Sequence, residues 1–258
     1  MTTQQLPRDC FRHLAQMKKE PKEVFYRGDL SLLERPKISI IGTRRPSQYA
    51  QRMTAEIARR LSGAGVVIVS GAAMGIDATA HRGAGYANTI AVMANGLDIR
   101  YPAINAELIG NIEAYGLMLS MYEEGTPQAR WRFVSRNEMV VALGDVLIVS
   151  EAQRDSGSMC SVSYAQKMGK KIYTFPHRMG ESEGIMDLVK TGEAEIIYDI
   201  DSFVAQYGQA KVCEADPFLA FCLENPSYEA ALRAHGEKVS LYELDGKIAV
   251  ENGQIRLL

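Results

Sequence analysis

Short apolar runs alternate with amphipathic stretches through most of this chain, and that alternation limits its fold more than any other feature. The runs are Ile38–Ile41, Val66–Ser70, Thr89–Met93, Gly116–Met121, Asp145–Ser150 and Lys171–Phe175, with Glu195–Tyr198 a weaker seventh. Between them, apolar residues fall at helical spacing over Tyr49–Ser62, Gly75–Ala87, Ile104–Tyr115, Arg132–Leu143, Ser158–Met168 and Gly184–Lys190. Short continuous apolar runs read as strands buried on both faces. Strands separated by helices build βαβ units, hence a parallel sheet covered on both sides. The expectation is an α/β fold: a Rossmann-like, doubly wound, mostly parallel sheet over residues 37–208.

The flanks are less regular. Residues 1–36 are mixed and polar, with helical character at Asp9–Lys19 and a small strand at Val24–Tyr26, and read as an N-terminal lead-in. Residues 209–216 read as a linker. The tail, 217–258, carries short helical patterns at Phe218–Leu223, Tyr228–His235 and Val239–Leu244. Two strands follow, Lys247–Val250 and Gln254–Leu258, around a turn containing Asn252-Gly253. Helices closing on a hairpin imply a small winged-helix-like C-terminal domain.

The net charge of −2 leaves no global basic field, so any polyanion site must come from local clustering. The four cysteines (Cys10, Cys160, Cys213, Cys222) form no Cys-x-x-Cys pair and fit reduced thiols better than disulfides or zinc. No apolar signal core opens the chain and no run approaches a membrane span, so a soluble, cytoplasmic protein with no membrane partner is expected.

In an open parallel sheet, ligands gather beyond the carboxyl ends of the strands. After the first run come Gly42, Thr43, Arg44 and Arg45, and Pro46-Ser47 then open a helix. A glycine turn into a helix N-terminus gathers backbone N–H groups and the positive end of a dipole, a phosphate-binding arrangement. Gly71 follows the second run. After the Asp145–Ser150 run come Glu151-Ala152 and then Ser156, Gly157 and Ser158, a second helix start able to hold an anion. Taken singly, each glycine loop also reads as a tight turn; several on one edge favour a site. Arg130-Trp131-Arg132-Phe133-Val134-Ser135-Arg136-Asn137 adds three arginines interleaved with two aromatics. Guanidinium groups bind phosphates and aromatic faces stack on bases. With Arg44, Arg45 and Arg154, the segment sketches a basic groove suited to single strands. Its blander reading is a helix start with one core Phe and solvated arginines.

Enzymatic readings find less support. No Gly-Lys-Ser/Thr follows a strand, and Gly-x-Gly-x-x-Gly and Gly-x-Ser-x-Gly are missing. Gly63-Ala64-Gly65 and Gly83-Ala84-Gly85 precede strands and read as helix ends. Asp77 and His81 stand four apart, two ligands short of a metal site. No catalytic residue, metal ligand or cofactor is expected.

The motifs resemble those of the DNA-processing protein A (DprA/Smf) family over about Phe25–Phe203. Ile41-Gly42-Thr43-Arg44-Arg45, Ser70-Gly71-Ala72-Ala73-Met74-Gly75-Ile76-Asp77-Ala78-Thr79-Ala80-His81 and Phe133-Val134-Ser135-Arg136-Asn137 occur in that order. Glu151-Ala152, Ser156-Gly157-Ser158 and Phe175-Pro176 follow. The resemblance implies an extended Rossmann fold, homodimerisation, and binding of incoming single-stranded DNA in natural transformation with delivery to the RecA recombinase. It implies no catalytic step. It also implies that Arg45 holds phosphate with Arg44 nearby, that Gly42 and Gly71 let the strand approach, and that Phe133 meets a base. Arg130 stands at an often basic position, and Arg136-Asn137 falls on the family's Arg-Asn pair. Three departures stand out: Glu138 where relatives often continue with arginine, His177 after Pro176, and Met159-Cys160-Ser161 at the helix start.

The favoured reading is a cytoplasmic single-stranded-DNA-binding recombination mediator. The alternative is a Rossmann-like nucleotide hydrolase or sensor of the LOG type, although that group's Pro-Gly-Gly-x-Gly-Thr loop is absent. A third is an interaction scaffold with an empty rim. In the tail, Arg233, Lys238, Lys247 and Arg256 are opposed by acidic residues between Glu224 and Glu251, which argues against duplex binding there.

Overall fold

In a computed structural model, the structure describes residues 2–208, 217–222, 226–236, 238–244, 248–251 and 253–257. The chain divides into two compact units, Met1–Gln209 and Ala210–Leu258. The first is built on a nine-stranded sheet: β1 (Gln4–Gln5), β2 (Phe25–Gly28), β3 (Lys37–Ile41), β4 (Val67–Ser70), β5 (Thr89–Met93), β6 (Leu117–Ser120), β7 (Val146–Val149), β8 (Ile172–Thr174) and β9 (Glu195–Ile196). Their order across the sheet is β1-β2-β6-β5-β4-β3-β7-β8-β9. From β6 to β9 all neighbours are parallel, while β1 and β2 join antiparallel at the β6 edge. The fold is therefore the expected doubly wound α/β arrangement. The lead-in over residues 1–36 supplies two strands of that same sheet, because the backbone of Phe25–Gly28 pairs along the otherwise open edge of β6.

Among the described residues the α-helices of this unit are α1 (Gln48–Gly63), α2 (Ile76–Ala84), α3 (Ala106–Tyr115), α4 (Arg130–Leu143), α5 (Gly157–Lys167), α6 (Glu183–Lys190) and α7 (Ile200–Tyr207). Side chains alternate across a strand. Ile38 and Ile40 of β3 accordingly pack with Ile57 and Leu61 of α1, Ile76 of α2 and Phe203 of α7. Ile41 packs on the opposite face with Met139 and Leu143 of α4, Val162 of α5 and Ile185 of α6. Ala91, Met93 and Met118 close a third cluster against Leu108 and Ile112 of α3. Serines buried inside the sheet are satisfied: Ser39 Oγ donates to Val140 O at 2.6 Å and Ser70 Oγ to Ile40 O at 2.7 Å.

Element boundaries depart from the spacing where local chemistry intervenes. Gly85, at φ 74°, ends α2 at Ala84, and residues 86–88 form a 3-10 turn. The helical pattern at Asp9–Lys19 becomes a 3-10 helix, Arg8–Leu14. Helix α4 begins at Arg130, two residues ahead of the pattern, and α7, capped by the Asp199 carboxylate on Ser202 N–H, falls outside the expected set.

The second unit holds α8 (Pro217–Cys222), α9 (Tyr228–His235), α10 (Lys238–Leu244) and an antiparallel hairpin of β10 (Ile248–Glu251) with β11 (Gln254–Leu257). Phe218, Cys222, Ala231, Val239, Ile248 and Ile255 form its core. The expected linker 209–216, with Cys213, lies outside the described residues, as do Leu223, Glu224, Lys247, Asn252 and Leu258. Cys10 and Cys160 are free thiols. Among the described residues, no helix is long and apolar enough to cross a membrane.

Candidate nucleic-acid interface

The chain leaves β3 toward β4, β5 and β6 on one side and returns to β7, β8 and β9 on the other. The carboxyl ends of β3 and β7 thus flank the topological switch point, where open α/β sheets hold ligands. A cleft of about 380 Å³ opens there, and Gly42, Thr43, Arg44, Arg45, Arg136, Asn137, Ser156, Gly157 and Ser158 line it together with Ile41, Ala73, Asp77 and Ser161. Gly71 and Phe133 line a smaller adjoining notch that shares Arg44 and Arg136 with the cleft. Arg130 lines neither and stands exposed on the first turn of α4. Tyr101 and Pro102 line the notch outside any of the quoted motifs. Tyr101 had a signal in the sequence, since its loop follows β5 on the same rim.

Arg44 and Arg45 are exposed and make no salt bridge among the described residues. Arg45 N–H donates to Thr43 Oγ1 at 3.2 Å. Thr43 N–H donates to Glu151 O at 2.9 Å, stitching the β3 and β7 loops together. Gly75, at φ 79°, sits so close that a Cβ would meet Thr43 O and the Arg44 backbone, which fixes the arginine turn against the start of α2.

The two helix starts on this rim differ from expectation. At α1, Ser47 Oγ accepts from Ala50 N–H at 3.1 Å, and the Ser47 N–H and hydroxyl both donate to Glu151 Oε2, at 2.9 and 2.8 Å. A carboxylate from within the chain thus occupies the α1 N-terminus, leaving the arginines of the preceding turn as its anion-binding groups. At α5, Ser156 makes no side-chain cap, and its hydroxyl oxygen is buried without a partner among the described residues. That second N-terminus faces the cleft open, with the backbone of Gly157 and Ser158 beside it.

Two glycines on the rim are approached closely from within the protein. A Cβ on Gly42 would meet Ile76 Cγ1 at 2.7 Å and Glu151 O at 3.1 Å, and one on Gly71 would overlap the Arg136 guanidinium. The space beside each is filled from within the protein. Arg136 itself is 4% exposed and bonds Val92 O at 3.1 Å and Gly71 O, bracing the ends of β4 and β5. Burial pulls its pKa down and the Asp77 carboxylate supports its charge. Burial pushes the Asp77 carboxyl up, while Arg136 and the nearby backbone N–H groups hold it back. Arg136 thus lines the cleft while its Nη1 donates to two backbone carbonyls, so it also supports the floor of the cleft.

Behind this pair lies His81, fully buried. Thr89 Oγ1 gives its hydrogen to Ile68 O at 2.8 Å, so His81 Nδ1–H must be the donor in its 2.6 Å bond to Thr89. Nε2 is the bare nitrogen and has no partner among the described residues. Burial, then the charges of Arg136 and Arg82, push the His81 pKa down to about 3. Among the described residues, no cluster of His, Cys, Asp or Glu could hold a metal.

Phe133 is half-buried, with the Arg44 guanidinium 5.7 Å from its ring centroid, that of Arg136 at 5.8 Å, and the Tyr101 ring at 6.1 Å. Arg154, which the sequence groups with the basic groove, is committed elsewhere: it pairs with Glu183 at 2.6 Å and Asp187 at 2.7 Å. Glu138 accepts from Lys18 N–H at 2.7 Å, so its carboxylate is directed to the N-terminal segment. His177 Nε2–H donates to Ser150 O at 2.9 Å and meets Tyr49 edge to face, a packing role; burial pulls its pKa down.

Comparison with known proteins places this architecture. The family model for DNA recombination-mediator protein A matches residues 4–208. Protein Smf of Synechocystis is 35% identical over 208 residues, 78% of this chain and 52% of that protein. The DNA processing protein DprA of Streptococcus pneumoniae is 32% identical over 204 residues, 77% of this chain and 72% of its own length. This chain thus spans about half the length of the Synechocystis relative. Among solved structures, DNA processing protein A of Helicobacter pylori superposes with a TM-score of 0.76 at 38% identity, covering 80% of this chain and 95% of the other. That structure is described for its single-stranded DNA binding mode. The Streptococcus pneumoniae DprA crystal structure gives 0.73 at 32% identity, covering 80% of this chain and 74% of the other.

Proposed function

The chain belongs to the DNA recombination-mediator protein A family, and from that premise we propose that it binds single-stranded DNA at the switch-point cleft and acts as a recombination mediator. The observation that carries the reading is the cleft itself. Two exposed arginines with no salt bridge among the described residues line the cleft with an uncapped helix N-terminus, and an aromatic ring opens beside them. Cations and free N–H groups hold a phosphate backbone without reading its sequence, and a ring stacks on any base. The net charge of −2 confines this attraction to the rim.

The resemblance extends the proposal to incoming DNA in natural transformation, delivery of that DNA to RecA, action as a homodimer in the cytoplasm, and no catalytic step. The second unit is read as winged-helix-like, and its acidic residues argue against duplex binding there.

The test is anisotropy of a labelled single-stranded oligonucleotide across a salt series, competed with duplex and with mononucleotides. Binding that weakens steeply with salt and resists both competitors supports the reading. Failure to bind the oligonucleotide, with a melting shift on adding a mononucleotide, overturns it in favour of a small-nucleotide site.

A further inference from the structure

We propose that Trp131, held by Tyr122 and Arg132, is a second base-stacking station, placed where a single strand leaves the Phe133 notch and crosses the first turn of α4. This inference rests on the single-stranded DNA reading of the cleft.

Trp131 is the only tryptophan in the chain, and it is 60% exposed. A large ring gains most from burial, so one held open to water on a surface is a contact awaiting a partner. The ring is also fixed in place. Tyr122 meets it edge to face at 5.9 Å, and the Arg132 guanidinium stands 4.9 Å from the Trp131 centroid and 5.2 Å from that of Tyr122. Arg132 is anchored in turn by a bond to Pro127 O. With its orientation set before any ligand arrives, the platform has little side-chain freedom left to lose on binding.

Its position joins it to the cleft. Phe133 stands two residues further along α4, and at about 100° per residue the two rings project from opposite flanks of the same turn. Arg130, exposed and without a salt bridge among the described residues, lies between them. A strand with one base at Phe133 lays its phosphates past Arg130 and presents a later base to Trp131. A helix measures about 10 Å across with its side chains, so a mononucleotide cannot reach both rings. The occupant is a nucleobase of the bound strand, taken without sequence preference because every base offers a π-face.

The lone tryptophan is its own reporter. The full chain is titrated with thymidine monophosphate and with oligothymidylates of increasing length, reading tryptophan fluorescence alongside anisotropy of a labelled oligonucleotide. The expected result is quenching that saturates with binding of the longer strands and is absent with the mononucleotide. Trp131→Ala should weaken the longer strands about five-fold or more, whereas Trp131→Phe, which keeps a ring, should stay within about two-fold of the parent. Saturating anisotropy with unchanged fluorescence, or full affinity in Trp131→Ala, overturns the second station and leaves the cleft reading standing. Absence of binding in the anisotropy arm overturns both.

Discussion

The Arg136 guanidinium lies where any side chain on Gly71 would have to go. Gly71 has no left-handed backbone angle to explain it, so close approach alone requires glycine here. Gly71→Ala should therefore cost about 1–3 kcal/mol by forcing the guanidinium off its carbonyls. Arg136→Ala should cost about 1–3 kcal/mol, because it leaves the buried carbonyls of Gly71 and Val92 without their donor. The decisive measurement is the double variant in urea denaturation. Once Arg136 is gone, adding Gly71→Ala should cost almost nothing further. Additive losses would show that Gly71 is glycine for some other reason.

Arg45 offers a cleaner test of the cleft, since it is exposed and braces nothing through its side chain. Arg45→Ala should leave stability within about 0.5 kcal/mol. It should weaken oligonucleotide binding to a similar extent for all sequences and shallow the salt slope by roughly 0.7, one phosphate contact on a single strand. An unchanged slope would remove Arg45 from the phosphate path.

Glu151 presents an acidic group to the α1 N-terminus at the edge of a site meant for an anion. Glu151→Gln keeps a hydrogen-bond acceptor for Ser47 and removes the charge. Stability should fall by about 0.3–1 kcal/mol as the dipole loses its carboxylate. Oligonucleotide affinity should rise at low salt and return to the parent value near 1 M salt, where the screening length is about 3 Å. Affinity that falls at every salt concentration would mean that Glu151 shapes the arginine turn and that its charge is incidental.

Much of the scaffold is legible in the chain because burial on both faces writes a strand such as Val67–Ser70 as an unbroken apolar run. Loops at the switch point are equally legible: Gly42 to Arg45 and Ser156 to Ser158 do converge on one cleft. What the chain cannot display is which charges are already spent. Arg154 looks as available as Arg45 until Glu183 and Asp187, about thirty positions later, close on it. Arg136 looks like a surface base-reader in a run of arginines, yet helical phase turns it inward toward Asp77 while Phe133 stays half-open. The small strand expected at Val24–Tyr26 is found as β2, whereas β1 falls outside the expected set because a two-residue edge strand rests on backbone pairing and leaves little apolar pattern behind.

His81 makes the strongest prediction about pH. In the fold it is fully buried and neutral, with its pKa near 3, against 6.5 for a free imidazole. Between those values the unfolded chain binds a proton that the native state refuses, so stability must rise with pH across that window and fall on acidification. The contribution is fully present above about pH 6.5 and is lost progressively as pH drops toward 3. Between pH 7.5 and pH 5 the loss from this one group should be about 2 kcal/mol, set by the unfolded imidazole alone. His81→Asn keeps a donor for Thr89 and removes the titration. Its stability, measured by urea denaturation at pH 7.5, 6 and 5, should be lower than the parent's at pH 7.5, yet change far less with acidification. A parent and variant that lose stability in parallel would show that His81 takes up its proton inside the fold, and that the space around its bare Nε2 admits water.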